Sequence, residues 1–509
     1  MESPQLTPSS NSEFLGEGSY GCVYNPGMDC KGRKNKKKTV TKIQEINFYS
    51  DNEKKNGTYI KKNIKEYKKY FGPIIKSCIV KFNTIETSNI DTKKCSILHN
   101  EYSPGGLPLY NRYVLMYSYF IKNYTMKDFH IHYNFEFLIN TLNHMYILTY
   151  SISLLNKIGV VHNDLHMSNV LINLKNNNPF IIDFGLSFII NDCYKLNKDY
   201  VDFQYIKKFL FDFRIDSYHV NIEKRFISFL IYNKTKHYPS VINDNNDNNS
   251  LSKEAIDYFI KDACDTIIMN DEMHIYMSSD EMIDYKKSLE KFYYQFLDKN
   301  EYSKCSSVVK YLLNFVYMYT DLHSLAINFL YLYYLKRAKI KNMDEDKDED
   351  KDKDEDKDKD EDKDKDKDKD KDEDKDKDKD KDEDKDKDED KDEDKEDSKG
   401  SSLNGDELLI LDFFIQLYKK VLYPEPNMRL TILQVLDVYT FIIHFINNYN
   451  LKTAKNTIKL DFISSFVKFL KSKNISIEVV FYKRFAFLNF NSLCRDSVFQ
   501  TIKQGAIKI

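Results

Sequence analysis

The sequence predicts an α+β protein with a strand-rich first part and a mostly helical remainder. Three observations carry this. Residues 13–120 alternate short apolar runs with a single charged helical stretch. From about residue 134, long aliphatic and aromatic runs recur at helical spacing. A tract of alternating Lys and Asp or Glu, residues 344–397, interrupts the helical part. It has nothing apolar to bury, so it is expected to be disordered.

The elements follow in order. Residues 1–12 are polar with two prolines and are expected to be disordered. "SEFLGEGSYGCVY" and "KTVTKIQEI" read as strands on either side of a basic turn, Lys31–Lys38. "DNEKKNGTYIKKNIKEYKKYF" is helical in character apart from Gly57, and "RYVLMYSYF" reads as a buried strand. "NFEFLINTLNHMYILTYSISLLNKIG" predicts a helix that stops at Gly159. "VLIN" and "PFII" read as two strands around the turn "LKNNNP". Helical character returns over 251–340 and again from about 403 to 470.

Bulk properties bound the function. The net charge of −3 hides a division. The tract carries 18 Lys against 36 acidic residues, so the rest of the chain is at +15. A basic body suits a polyanionic ligand or an acidic partner; direct nucleic-acid binding is not expected. No run is long and apolar enough to span a membrane, and "MESPQLTPSSNSE" lacks the apolar core of a secretory signal. The eight Cys form no CxxC pair and show no regular spacing, so free thiols in a reducing, intracellular compartment are expected.

Four motifs carry the chemistry. The chain has only 14 Gly, yet three fall in "GEGSYGCV": Gly16, Gly18 and Gly21, with Glu17, Ser19 and Tyr20 between them and Val23 after. Such glycines let backbone amides approach phosphates, and Val23 would pack on a flat base. Taken alone, the spacing is more often that of a flexible hairpin; a strand on each side and the trailing Val raise the phosphate-binding reading. Lys42 follows on the next strand, placed to reach phosphates if a carboxylate holds it; Glu53 is the first candidate and Glu66 the second. In "VVHNDLHMSNVLI", Asp164 could accept a hydroxyl proton and Asn169 could hold a metal ion, while His162 has a structural part. In "IIDFG", Asp183 follows an apolar run, and the preceding hairpin brings it beside Asn169. Two oxygen ligands can share Mg²⁺, with Mn²⁺ as the alternative ion.

These residues resemble the eukaryotic-type protein kinase superfamily, over about residues 13–445. The resemblance implies a two-lobed protein kinase-like fold, with an N-lobe at 13–120 and a C-lobe at 121–343 and 398–445. The 344–397 insertion interrupts the C-lobe, and 446–509 form a C-terminal extension. It implies ATP with Mg²⁺ in the cleft, a protein substrate with a Ser or Thr acceptor, and a hinge near Met116–Tyr119 with Met116 and Tyr117 against the nucleotide. Asp321 in "DLHSLA" fits the residue that braces the catalytic loop, and Glu223 would pair with Arg429. Two positions depart from the family. His166 stands where a phosphate-contacting Lys is common, and is retained as a catalytic candidate. Asn163 stands where an Arg commonly reads a phosphorylated activation loop, so activity without such phosphorylation is expected. "HNDLHMSN" and "GEGSYGCVYNPGMDC" look most like the serine/threonine kinases of large nucleocytoplasmic DNA viruses. That kinship would place the protein in host cytoplasm and in the virion; the Lys, Asn, Ile and Tyr richness fits a protozoan source as well. A pseudokinase scaffold and a small-molecule kinase are the alternatives.

Overall fold

In the computed structural model, the described residues are 13–18, 21–33, 39–81, 84–85, 92–95, 98, 112–119, 123–132, 137–195, 200–209, 221–232, 251–269, 279–299 and 304–355, and near the C-terminal end 415, 417–419, 421–422, 425–426, 429–448, 468 and 472. The chain divides into two compact units, residues 1–332 with 405–509, and residues 333–404.

The first unit begins with an antiparallel sheet. Strands β1 (Glu13–Gly18), β2 (Gly21–Asn25), β3 (Thr39–Glu45), β4 (Lys76–Lys81) and β5 (Arg112–Tyr119) lie in the order β1-β2-β3-β5-β4. Gly18 pairs with Gly21, so β1 and β2 are joined by residues 19 and 20 alone. Gly21 has a packing reason to be glycine: a Cβ there would meet the Ile43 carbonyl oxygen of β3 at 2.6 Å. One face of the sheet buries Cys22, Tyr24, Ile43, Tyr113, Leu115 and Tyr117.

Two disulfides fasten this face, Cys22–Cys95 and Cys30–Cys78. The free-thiol expectation is therefore corrected for these four residues. Spacing gave no hint, because the pairs are made by strand order, which sets residues 73 and 48 positions apart side by side. In the chain-entropy model, a closed loop of this size removes roughly 4 kcal/mol of conformational freedom from the unfolded state. Cys193, Cys264 and Cys305 are free and buried; Cys494 lies outside the described residues.

Helix α1 (Phe48–Asn63) starts at a capping box. The Asn47 side chain accepts from the Ser50 amide and Ser50 Oγ accepts from the Asn47 amide. Gly57 lies inside the helix rather than breaking it. A Cβ there would stand 3.1 Å from the Ile74 carbonyl oxygen, so the glycine lets the 73–74 backbone pack against the helix.

Helix α2 (Met126–His132) follows β6 (Asn123–Thr125), and helix α3 (Phe137–Lys157) ends as expected at Gly159, whose φ of 76° is left-handed. After β7 (Val160–Val161), strands β8 (Val170–Asn173) and β9 (Asn178–Ile181) form the expected hairpin, with Val170 opposite Ile181. Strand β10 (Phe188–Ile189) pairs with β7. The helical core gathers α5 (Ile222–Tyr232), α6 (Lys253–Met269), α7 (Ser279–Asp298) and α8 (Cys305–Glu355), reached after the short α4 (Phe203–Lys207). Phe226, Phe229, Phe259, Phe292, Tyr293 and Phe296 fill it, each buried ring contributing roughly 1.5–3 kcal/mol. Helix α9 (Ile432–Asn448) packs on α3.

Helix α8 runs on to Glu355, into the first residues of the acidic tract. Like charges four apart weaken a helix, but extension from a formed helix needs no new nucleus. The rest of the tract, residues 1–12 and most of 446–509 lie outside the described residues. Among the described residues, no helix is long and apolar enough to cross a membrane.

One buried pair gives a test of this fold. His130 Nε2 lies 3.2 Å from His144 Nδ1, and His144 Nε2 lies 3.0 Å from the Asn177 carbonyl. The pattern assigns both rings as neutral: His144 donates to Asn177 and accepts from His130. Burial pushes His144 down to about 4 against the opposing Asn177 bonds, and burial together with His144 pushes His130 well below its usual range. An unfolded His takes its proton near pH 6.5, while the folded pair does not. Stability from these groups is thus complete above pH 6.5 and is lost as pH falls toward 4, by about 3 kcal/mol for His144. Melting curves from pH 7.5 to 5 should fall, and fall less in a His130→Leu/His144→Leu variant. Equal slopes in the two proteins would defeat this account.

Candidate active site

The site is assembled where β3, α1 and the two ends of the β8–β9 hairpin meet. Lys42 on β3 has Val23 and Met116 as its register neighbours on β2 and β5, so the three share one face. Tyr117 is on the other face, with its hydroxyl 3.5 Å from Cys78 Sγ. Strand β5 stays paired through Tyr119, so the connection to β6 begins after it. Residues 120–122 lie outside the described residues, as do Ser19 and Tyr20.

Lys42 Nζ stands between two carboxylates, 3.0 Å from Glu53 Oε2 and 3.1 Å from Asp183 Oδ2. Of the two carboxylates considered for Lys42, Glu53 makes the pair; Glu66 pairs with Lys69 at 2.8 Å. Burial alone would lower the Lys42 ammonium, but Glu53 and Asp183 outweigh it and hold it well above the usual lysine range. Burial pushes Glu53 up to about 7 against the pull of Lys42, with Asp183 adding to the rise. One cation is shared by two carboxylates, so the less solvated carboxylate holds its proton longer. Burial would also raise Asp183, yet Lys42 and the Gly185 amide keep it below the usual range.

Asn169 follows the catalytic stretch directly into β8, and its carbonyl accepts from the Ile182 amide at 3.0 Å. Its Nδ2 donates to the Asp164 carbonyl at 2.9 Å and to Asp164 Oδ2 at 3.1 Å. That use of the nitrogen leaves Oδ1 without a partner among the described residues. Asp183, at φ 60°, turns the chain sharply just past β9. His166 Nε2 is 3.9 Å from Asp164 Oδ2. The donor set facing this corner is oxygen only, Asn169 Oδ1 and the Asp183 carboxylate, which fits a hard divalent cation. Among the described residues, a Cβ at Gly16 or Gly18 would meet no atom within 4 Å, so packing against them does not explain these two glycines.

Comparison with protein families matches residues 9–211 to the protein kinase domain. Over these residues the chain has a protein kinase-like fold. The match covers less than half of the chain and includes the Gly-rich hairpin, Lys42, Glu53, Asp164, Asn169 and Asp183. Protein kinase domains in general transfer a phosphoryl group from ATP to protein with the help of a divalent metal ion. A search of curated proteins gave no match.

The matched region is braced from further along the chain. Asp321 on α8 accepts from the His162 amide at 2.7 Å and the Asn163 amide at 2.9 Å. His162 Nε2 is 2.9 Å from the Ile182 carbonyl, and its ring packs against Phe184. Arg429 grips Glu223 with two hydrogen bonds, 3.0 and 2.5 Å, the pairing expected from sequence.

Other site residues escaped the sequence reading. Asn52 Nδ2 donates to the Gly185 and Ser187 carbonyls at 2.8 and 2.7 Å. Asn56 Nδ2 donates to Phe184 and Ser187 at 3.1 and 2.8 Å. These amides stitch α1 to the segment after Asp183. Asn163 Nδ2 donates to the Leu186 and Phe209 carbonyls at 3.0 and 3.1 Å, fastening the chain after Asp183 at two points. Two Asn four apart in a helix, where Asn is a poor former, was the signal available for the first pair.

Proposed function

We propose that the protein is an ATP-dependent serine/threonine protein kinase that uses Mg²⁺. The observation that carries this is Lys42 held between Glu53 and Asp183, with Asp164 and Asn169 hydrogen-bonded alongside. None of the groups that phosphoryl transfer needs is missing, which weighs against a pseudokinase scaffold.

On this reading, backbone amides of residues 16–21 cover the ATP phosphates and Lys42 orients them. Asn169 Oδ1 and Asp183 would hold Mg²⁺, which would neutralise charge on the transferred phosphoryl group. Asp164 orients a Ser or Thr hydroxyl and accepts its proton. Positioning and charge neutralisation carry the rate. His166 is close enough to Asp164 to donate to the same phosphoryl oxygens. The lobes comprise 13–120 and 121–343 with 398–445. The sequence of the catalytic stretch favours kinship with the kinases of large DNA viruses, and with it an intracellular place in an infected host and in the virion. The neutral bonds from Asn163 to Leu186 and Phe209 support activity without activation-loop phosphorylation.

The test is radiolabelled ATP with basic and acidic generic protein substrates, wild type beside Asp183→Ala. Label on Ser and Thr that the variant abolishes, and that survives phosphatase treatment of the enzyme, is expected. ATP binding without transfer would make the protein a scaffold. Label on a small molecule alone would replace the protein substrate, and activity lost with phosphatase would end the phosphate-independent reading.

A further inference from the structure

We propose that Lys224 is a positioning residue for catalysis, an internal cation that fixes the Asn163–Asp164 backbone and ties the end of the activation segment to it. The assignment rests on the kinase reading above.

Lys224 is on α5, one residue after Glu223, and only 1% of it is exposed. A lysine is almost never so buried without a purpose-built partner. Its Nζ donates to Asn163 Oδ1 at 2.7 Å, and its backbone amide is capped by the Asn221 side chain at 3.2 Å. Because Glu223 is clamped by Arg429, the start of α5 is a fixed platform, and Lys224 reaches from it to the underside of the catalytic loop.

The charges around it explain the need. From the catalytic loop come Asp164, His162 and His166; from α8 comes Asp321. Along α5, Glu223 is taken by Arg429, and Arg225 lies 3.9 Å from Asp262. Asp164 and Asp321 therefore place two carboxylates near one short loop, and Lys224 is the cation whose field both feel. His166 lies beside Asp164 too, but it is more than a third exposed and sits on the outer side of the loop.

Asn163 is the mechanical link. Its φ of 70° is left-handed, a conformation that costs free energy in a residue with a side chain. Four bonds hold it there: its amide to Asp321, its Nδ2 to Leu186 and Phe209, and its Oδ1 from Lys224. Removing the ammonium takes away one of these bonds and leaves the two carboxylates to repel. Asp164, the next residue, would shift with it. Lys224 touches no substrate atom, so its action is through Asn163 and Asp164.

Burial brings the Lys224 ammonium down to about 8, although Asp164 and Asp321 both resist the fall. The clamp is thus charged at neutral pH and discharges just above it. Wild-type kcat should show an alkaline limb near pH 8.

The experiment uses the full chain with a generic protein substrate, comparing wild type, Lys224→Met and Lys224→Arg. Lys224→Met should lower kcat by roughly 10²-fold with KM for ATP unchanged within about two-fold. Lys224→Arg should recover part of kcat and lose the alkaline limb, because a guanidinium stays charged. A Lys224→Met enzyme within about three-fold of wild type, or an alkaline limb that persists in Lys224→Arg, would overturn the assignment. If Lys224→Met fails to fold by thermal melting, the Lys224→Arg pH profile decides alone. An inactive wild type that still binds ATP would instead remove the kinase reading, and this assignment with it.

Discussion

Replacing Asp164 by Asn should lower kcat by about 10²–10⁴-fold and leave ATP affinity within about three-fold of wild type. The substitution keeps shape and keeps an oxygen that can accept from Asn169 Nδ2, now bound at 3.1 Å. The Asp164 carbonyl, which accepts from the same nitrogen at 2.9 Å, is untouched. What is lost is the basic oxygen that, on the proposed function, takes the hydroxyl proton. Lys42, Glu53 and Asp183 keep their own contacts, so nucleotide binding should persist. The measurement is steady-state kinetics beside calorimetric ATP titration. An Asp164→Asn enzyme with more than about a tenth of wild-type kcat would mean that Asp164 is not the base.

The second large effect is on stability. Arg429→Met should destabilise the protein by about 3–5 kcal/mol, because it strands the Glu223 carboxylate in the core. Glu223 is 0% exposed, and Arg429 also lies over the Tyr319 ring at 5.1 Å. Removing both charges, as Glu223→Gln/Arg429→Met, should cost less than the single change, since no ion is then left unpaired. Urea denaturation compares them. A single variant that costs under about 1 kcal/mol, or a double that costs more than the single, would show that the pair does not hold the core.

Much of this site is legible in the sequence alone. Lys42, Asp164, Asn169 and Asp183 are short-range signals: a strand, a loop of fixed spacing and a hairpin with a strong turn. The hairpin settles which residues become neighbours, as Val170 opposite Ile181 shows. The unreadable parts depend on long-range partners. Tyr117 and Met116 are adjacent in sequence, yet strand alternation sends them to opposite faces, and only the pairing with β3 tells which face is which. Lys224 looks like any surface lysine until α5 is packed beneath the catalytic loop. The disulfides needed the strand order. The helical start of the acidic tract is invisible to local composition, because the formed helix that precedes it supplies the nucleus.

The stitching of α1 to residues 184–187 bears on which inhibitors this cleft would accept. Four side-chain hydrogen bonds from Asn52 and Asn56 hold the carbonyls of Phe184, Gly185 and Ser187. Phe184 is 1% exposed and wedged between Phe71 and His162. A compound that needs this ring swung out of its pocket must first break that lattice of amides. On the proposed function, compounds that fill the nucleotide space and leave Phe184 in place meet no such resistance.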